Sequence, residues 1–399
     1  MKVLVPLFSP QTGTLGSLTR TMALARAFTA DGHEVSFCAS GRIAQSLVAK
    51  GLRVHVMPAP TMFGLPGPLS RLMERRSTQM RIPVREGKSI GSIWFVYRLS
   101  GMLSPRYLPR LVEAELAAVA SVRPDLLVTE MDPGAYLLAR VTGLPLVTTY
   151  AAVMQVGRGT GSWRKALGAM NAVLARHGKP TGVDPAEIAF RGRVLKIIPS
   201  IPELDGTEET ADVRYVGNMT EPVSGTEAPF APEPGKRYVF VYLGTGSVPF
   251  SRAVEVLPAA LAPFAELLCI VGSPTVTSPF EKGNVSFVSY APANRILPHC
   301  DCVICHGGLN TITQSLEAGV PLLLFPGPIF ERRFNAAAVA RNGAGAFGEL
   351  GQFTPRWLGV QIARRREYAA AARKLSGRFA TGGADAAVRR IVAWWGQGG

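Results

Sequence analysis

Short apolar runs alternate with stretches of helix-spaced apolar residues twice along this 399-residue chain, and a polar, Gly/Pro-rich stretch separates the two series. That rhythm leaves few folds open, because neighbouring parallel strands need a crossover of about a dozen residues or more, and a helix is the usual crossover. Residues 2–8 read as a first strand, 34–38 as a second and 52–57 as a third. Leu18, Met22, Leu24, Ala25 and Phe28 fall at helical spacing between the first two, and Asp31-Gly32-His33 closes that helix. A helix over 42–50 stops at Gly51; strand 124–129, helix 134–140 and strand 144–149 extend the series. The stretch 206–236 reads as a linker. Strands then follow at 238–243, 267–271, 285–288, 303–305 and 322–325, with a last helix near 386–395. The pattern predicts an α/β chain of two domains, 1–205 and 237–385, with 386–399 a C-terminal helix free to pack back on the first domain.

Two cores also suit the length, since single cores stop growing near about 250–300 residues. With 47% hydrophobic and 18% charged residues the chain is no disordered polyelectrolyte. The formal charge of +15 favours phosphate, carboxylate or anionic lipid as partners. Nucleic acid is not expected, because the basic residues lack interleaved aromatics or a recognisable module. No 18-residue apolar run is present, residues 1–8 are too short for a signal peptide, and five cysteines suit a reducing compartment. The expected location is therefore cytoplasmic. One segment breaks the alternation: Arg71, Arg75, Arg76, Arg81, Arg85 and Lys88, followed by Ile93-Trp94-Phe95-Val96-Tyr97. It admits two readings, a solvated basic helix beside core aromatics, or a surface over the cleft where Arg81 and Arg85 meet the acceptor or a membrane.

The strongest constellation is His306-Gly307-Gly308-Leu309-Asn310-Thr311, which follows a strand and opens a helix. Two glycines let a backbone approach a ligand closely, and a helix N-terminus aims free amide hydrogens and a partial positive charge at it. His306, Asn310 and Thr311 add side-chain donors, so the arrangement suits a diphosphate. Taken alone, it is equally a tight strand-to-helix turn. Cys302-Val303-Ile304-Cys305-His306 also matches a haem-attachment pattern. In a buried strand, however, alternate residues face opposite ways, so the two thiols would not converge with His306.

Glu317-Ala318-Gly319-Val320-Pro321 follows one helix length on, then Phe325-Pro326-Gly327-Pro328-Ile329-Phe330-Glu331-Arg332-Arg333-Phe334-Asn335. With Leu243-Gly244-Thr245-Gly246 and Tyr290-Ala291-Pro292, these motifs resemble the UDP- and dTDP-sugar-dependent glycosyltransferases that modify natural products and lipids. The resemblance covers nearly the whole chain and is strongest over 237–348. It implies a GT-B fold, two facing Rossmann-like domains with parallel sheets and an interdomain cleft, with the donor held by the second domain and the acceptor by the first. By this likeness His306, Gly307, Gly308, Asn310 and Thr311 hold the diphosphate, Gly244 and Thr245 face it from the other side, and Tyr290 lies near the base. Glu331 and Arg332 align with an acidic residue and a glutamine that grip the sugar hydroxyls. Arg332 in place of that amide either accepts a carboxylated sugar or pairs with Glu331.

The larger departure lies in Gly16-Ser17-Leu18-Thr19-Arg20, because the family's catalytic histidine is Ser17 here and no histidine precedes His33. A serine hydroxyl is far too weak a base to deprotonate an alcohol at neutral pH. The partner of that histidine aligns with Thr129-Glu130-Met131-Asp132, leaving Glu130, or failing it Asp132, as candidate base with Ser17 orienting the acceptor. Alternatively the acceptor is already an anion, a phosphate or carboxylate. The expected activity is an inverting, metal-independent transfer needing no cofactor, with the helix dipole and His306 stabilising the departing diphosphate. Rival readings are an epimerase or lipid-linked sugar transferase on the same fold, and a non-catalytic nucleotide-sugar-binding helper of another transferase.

Overall fold

The computed structural model describes residues 1–8, 15–70, 89, 91–220, 230–244, 248–379 and 382–397. Two seven-stranded sheets carry the chain. The first takes β1 (Lys2–Pro6), β2 (Glu34–Ala39), β3 (Val54–Val56), β4 (Leu126–Thr129), β5 (Leu146–Thr149), β6 (Val194–Ile198) and β7 (Val213–Tyr215), in the order β3-β2-β1-β4-β5-β6-β7. The second takes β8 (Arg237–Tyr242), β9 (Leu267–Gly272), β10 (Phe280–Lys282), β11 (Val285–Val288), β12 (Cys300–Cys305), β13 (Leu322–Leu324) and β14 (Gly345–Phe347), in the order β10-β11-β9-β8-β12-β13-β14. The β10–β11 pair is antiparallel and the other pairings are parallel. Each sheet thus reverses winding once, between β1 and β4 in the first and between β8 and β12 in the second. Such switch points leave a crevice outside the carboxyl ends of the strands, where ligands of α/β sheets bind.

Central strands are apolar on both faces because helices cover both. Val3 and Val5 of β1 share a core with Phe28 of the helix Leu15–Ala30, while Leu4 packs on the opposite face with Leu108 and Leu111. Four strands escaped the sequence pattern, β6 inside the first sheet and three at the sheet edges. β7 lies inside the stretch read as linker and pairs with β6. β10 has three exposed residues, and the three-residue β14 starts at Gly345, where an added Cβ would lie 1.9 Å from the Leu322 carbonyl oxygen. Neither offers an apolar run to read.

The last helix, Ala384–Gly396, leaves the second domain and joins the core of the first through Ala387, Val388 and Ile391. Its end is held by the Trp394 indole donating to Asp212 at 3.0 Å and the Arg193 guanidinium lying 5.0 Å over the Trp394 ring. Within the arginine-bearing segment, residues 71–88 lie outside the described residues. The aromatic stretch after it forms the helix Ile93–Leu99, and Trp94 and Tyr97 are buried in the first core. No helix among the described residues is long and apolar enough to cross a membrane.

Candidate active site

On the second sheet, β12 ends at the fully buried Cys305 and the chain turns into the helix Leu309–Glu317 through His306-Gly307-Gly308. Gly308 is the N-cap and, lacking a side chain, does not itself cap the first-turn amides. The three glycines of the crevice serve close packing. A Cβ on Gly308 would sit 2.6 Å from His306 Nε2, one on Gly244 would sit 2.9 Å from His306 Cε1, and one on Gly307 would sit 2.9 Å from the Arg332 carbonyl oxygen. Gly244 and Gly307 also have φ of +58° and +84°, in the left-handed region. The imidazole is therefore slotted between two glycines, with its Nδ1 3.3 Å from the Tyr242 carbonyl oxygen and its ring edge-on to Tyr242. Because that carbonyl only accepts, Nδ1 carries the hydrogen and Nε2 of the neutral ring keeps its lone pair. Burial, followed by the nearby Arg332 charge, pushes the His306 pKa down to about 4.

The helix Phe330–Arg341 closes the other side of the loop. Glu331 and Arg332 are in its first turn, and burial lowers the Arg332 pKa against the pull of Glu331. Arg333 makes a two-point pair with Glu349, at 3.0 and 2.6 Å. Asn335 donates to the Gly307 carbonyl at 3.1 Å and so fixes the loop from outside it. Thr311 is half-buried in the first turn, and Tyr290 is 41% exposed on the segment after β11. Thr245, Arg81 and Arg85 lie outside the described residues.

The first sheet's switch point is built differently. The Thr129 hydroxyl donates to the Pro6 carbonyl at 2.8 Å, and Leu7 bridges to Glu130, which fastens β4 to the end of β1. Met131 then adopts φ +55°, a left-handed conformation that a non-glycine residue occupies at a cost of about 1–3 kcal/mol. That turn separates the two carboxylates. Asp132 swings under the helix Pro133–Thr142 and caps it, accepting from Gly134 at 2.7 Å and Ala135 at 3.2 Å. Burial raises Asp132 to about 6 against those two amides. Glu130 is 2% exposed and both its oxygens are engaged by the guanidinium of Arg20, Oε2 at 3.3 Å from Nε. Burial outweighs the pull of Arg20 and leaves the Glu130 carboxyl raised above its ordinary value; burial works against the Arg20 charge, and Glu130 more than offsets it. Ser17, one turn before Arg20, is 7% exposed.

The two switch points face each other. Beside them a small interdomain pocket is lined by Tyr150, Ile198 and Ser200 of the first domain and by Glu331, Phe334 and Asn335 of the second. Asn310, which the sequence assigns to the diphosphate, turns its amide across the cleft: its oxygen accepts from Arg20 and its nitrogen donates to the Gly16 carbonyl at 3.3 Å. Sequence reasoning passed over Arg20 and Asn335. Arg20 carried a usable signal, since it lies three residues after Ser17 and so on the same helix face; Asn335 carried none.

The cysteines of the haem-like pattern part as strand geometry requires. Cys302 packs in the core on one face of the second sheet, while Cys300 and Cys305 pack in the core on the other. Among the described residues no group of three or more His, Cys, Asp or Glu side chains is placed to hold a metal ion.

Residues 278–390 match the family model for the C-terminal domain of erythromycin biosynthesis protein CIII-like proteins. A PGL/p-HBAD biosynthesis rhamnosyltransferase of Mycobacterium bovis (strain BCG / Pasteur 1173P2) is 24% identical over 94% of this chain and 84% of its own length. Among solved structures, the calicheamicin glycosyltransferase superposes over 100% of this chain and 98% of its own with a TM-score of 0.75 at 17% identity. The spinosyn rhamnosyltransferase complexed with thymidine diphosphate covers 98% of this chain and 100% of its own with a TM-score of 0.68 at 21% identity.

Proposed function

We propose that this chain, which shares its fold with GT-B glycosyltransferases and matches the EryCIII-like C-terminal domain over residues 278–390, transfers a sugar from a dTDP- or UDP-sugar to a small acceptor whose attacking oxygen is already ionised. The donor half of this reading rests on the slot around His306 and the helix start behind it, whose N-cap residue has no side chain. These place backbone amides, a helix dipole and an imidazole at one crevice, the donor set a leaving diphosphate needs and one that makes a divalent metal superfluous. The neighbour solved with thymidine diphosphate and the relative named a rhamnosyltransferase put dTDP-sugars, and deoxyhexoses among them, first in the search.

One observation carries the acceptor half: the buried Arg20–Glu130 pair occupies the place of the expected acid–base dyad. With both oxygens engaged by a guanidinium, Glu130 must give up that grip to take a proton from an acceptor, although burial raises its carboxyl. Glu130 is thus the counter-ion of Arg20 and Asp132 is a helix cap. A phosphate or carboxylate acceptor needs no base, and direct displacement by its oxygen inverts the anomeric carbon.

Calorimetric titration of the wild type and His306→Ala with UDP, dTDP and a panel of their sugars, in the presence of a chelator, tests the donor half. One nucleotide should bind tightly and lose roughly 100-fold in affinity in the variant, since a charge-assisted hydrogen bond of about 1.5–3 kcal/mol goes with the ring. No binding to any nucleotide sinks the reading. Matched acceptor pairs, an alcohol against its phosphate or carboxylate, then test the second half; equal kcat/KM values within a pair would refute it.

A further inference from the structure

We infer that Arg20 is a positioning residue, which sets Asn310 and through it ties the donor loop to the acceptor domain. The inference rests on the reading that the His306 loop binds a nucleotide. Three observations converge on it. Arg20 lies on the first helix of the acceptor domain, is 8% exposed, and is oriented by its two-point pair with Glu130 at the end of β4. The nitrogen left over, Nη1, donates to Asn310 in the first turn of the helix that follows the donor loop. Asn310 closes the circuit by donating to the Gly16 carbonyl, at the start of the helix that carries Arg20.

The chemistry of the groups allows one arrangement only. A guanidinium has donors and no acceptor, and a backbone carbonyl accepts and never donates, so the Asn310 oxygen must face Arg20 and its nitrogen must face Gly16. A side chain held at both ends is fixed in rotamer as well as in amide orientation. Asn310 lies two residues past Gly308, whose backbone forms the slot for His306. Any shift of that turn on nucleotide binding is therefore felt at Gly16 and Arg20, and the buried Glu130 gives Arg20 nowhere to retreat. Glu331, which faces the cleft from the donor side, adds its charge to the field on both Arg20 and Glu130. The device couples two sites through contacts each of them touches, which is what an energetic coupling requires.

Hydrogen–deuterium exchange of the full-length protein, with and without saturating dTDP or UDP, reads the coupling directly. In the wild type, nucleotide should slow the amides of residues 16–24 by about tenfold, a modest coupling. In Asn310→Ala, nucleotide should bind within about threefold of wild-type affinity and still protect the 306–308 loop, while protection over 16–24 disappears. Arg20→Leu alone strands a buried carboxylate and is expected to fold poorly, so the Arg20→Leu/Glu130→Leu pair is the second probe. It removes the grip on Asn310 without leaving a charge unpaired and should reproduce the Asn310→Ala pattern. Persistence of 16–24 protection in either variant overturns the inference. So does a collapse of nucleotide affinity in Asn310→Ala, which would put that amide on the phosphate itself, or an unprotected 16–24 segment in a wild type that binds nucleotide. A wild type that binds neither nucleotide removes the donor reading and this inference with it.

Discussion

The two switch points occupy equivalent places in the two sheets and are finished in opposite ways. At the β8/β12 end the residues are small, with Gly244 and Gly308 clasping one imidazole, Gly307 against the Arg332 backbone, and a helix start behind them whose N-cap residue has no side chain. At the β1/β4 end the crevice is plugged by a buried guanidinium–carboxylate pair beside a strained Met131. One end is shaped to receive charge from a ligand; the other already holds its charges in balance. The difference teaches that a shared scaffold fixes where a site is, and the residues at the strand ends decide whether that site takes part by binding or by holding.

The sharpest way to break this contrast is at the plug. Arg20→Leu leaves Glu130 buried without its partner and should cost about 3–5 kcal/mol, whereas Arg20→Leu/Glu130→Leu should return close to wild-type stability. Denaturant unfolding of the two variants measures it, and equal losses in both would show that the pair is not the unit. Next comes the slot. Gly308→Ala puts a methyl group 2.6 Å from the His306 ring, and nucleotide affinity should fall about 100-fold with the fold intact by circular dichroism. Wild-type affinity in that variant would mean the imidazole position is irrelevant to the donor.

A pH series sharpens the contrast further. Burial and Arg332 hold His306 near a pKa of about 4, and its Nε2 must gain a proton to donate to a phosphate oxygen. Binding a nucleotide sugar, whose two phosphates each keep one charge across the range, therefore takes up a proton above about pH 4. Affinity should decline as pH rises, by at most about tenfold per unit, until it passes the pKa of the complex. His306→Ala should abolish that slope, and a flat wild-type profile between pH 5 and 8 would rule out the proton uptake. The smallest effect expected is at Ser17. Ser17→Ala should change kcat/KM less than about fivefold, because a hydroxyl too weak to act as the base contributes at most an ordinary hydrogen bond of about 1 kcal/mol. A loss of 100-fold would restore Ser17 to the chemistry.

The strand-to-helix turn at His306 was legible before any coordinates. The turn at residues 306–308 is local, its glycines are adjacent, and the strand before and helix after are strongly patterned. What the glycines accommodate was not legible: they admit His306 and the Arg332 backbone, and both contacts are made by folding. The strand β7 inside the stretch read as linker was not legible because three residues at a sheet edge have too few positions to show a period.

From residue pattern alone follow two α/β domains, parallel sheets and a phosphate-ready strand-to-helix turn, since each depends on neighbours within about one βαβ unit. The tertiary structure alone decided the fate of Glu130 and Asn310. Arg20 meets them across 110 and 290 residues, and whether a carboxylate serves as base or counter-ion depends on which cation is buried beside it. No periodicity records that, because burial and the reach of a guanidinium exist only once the chain is folded.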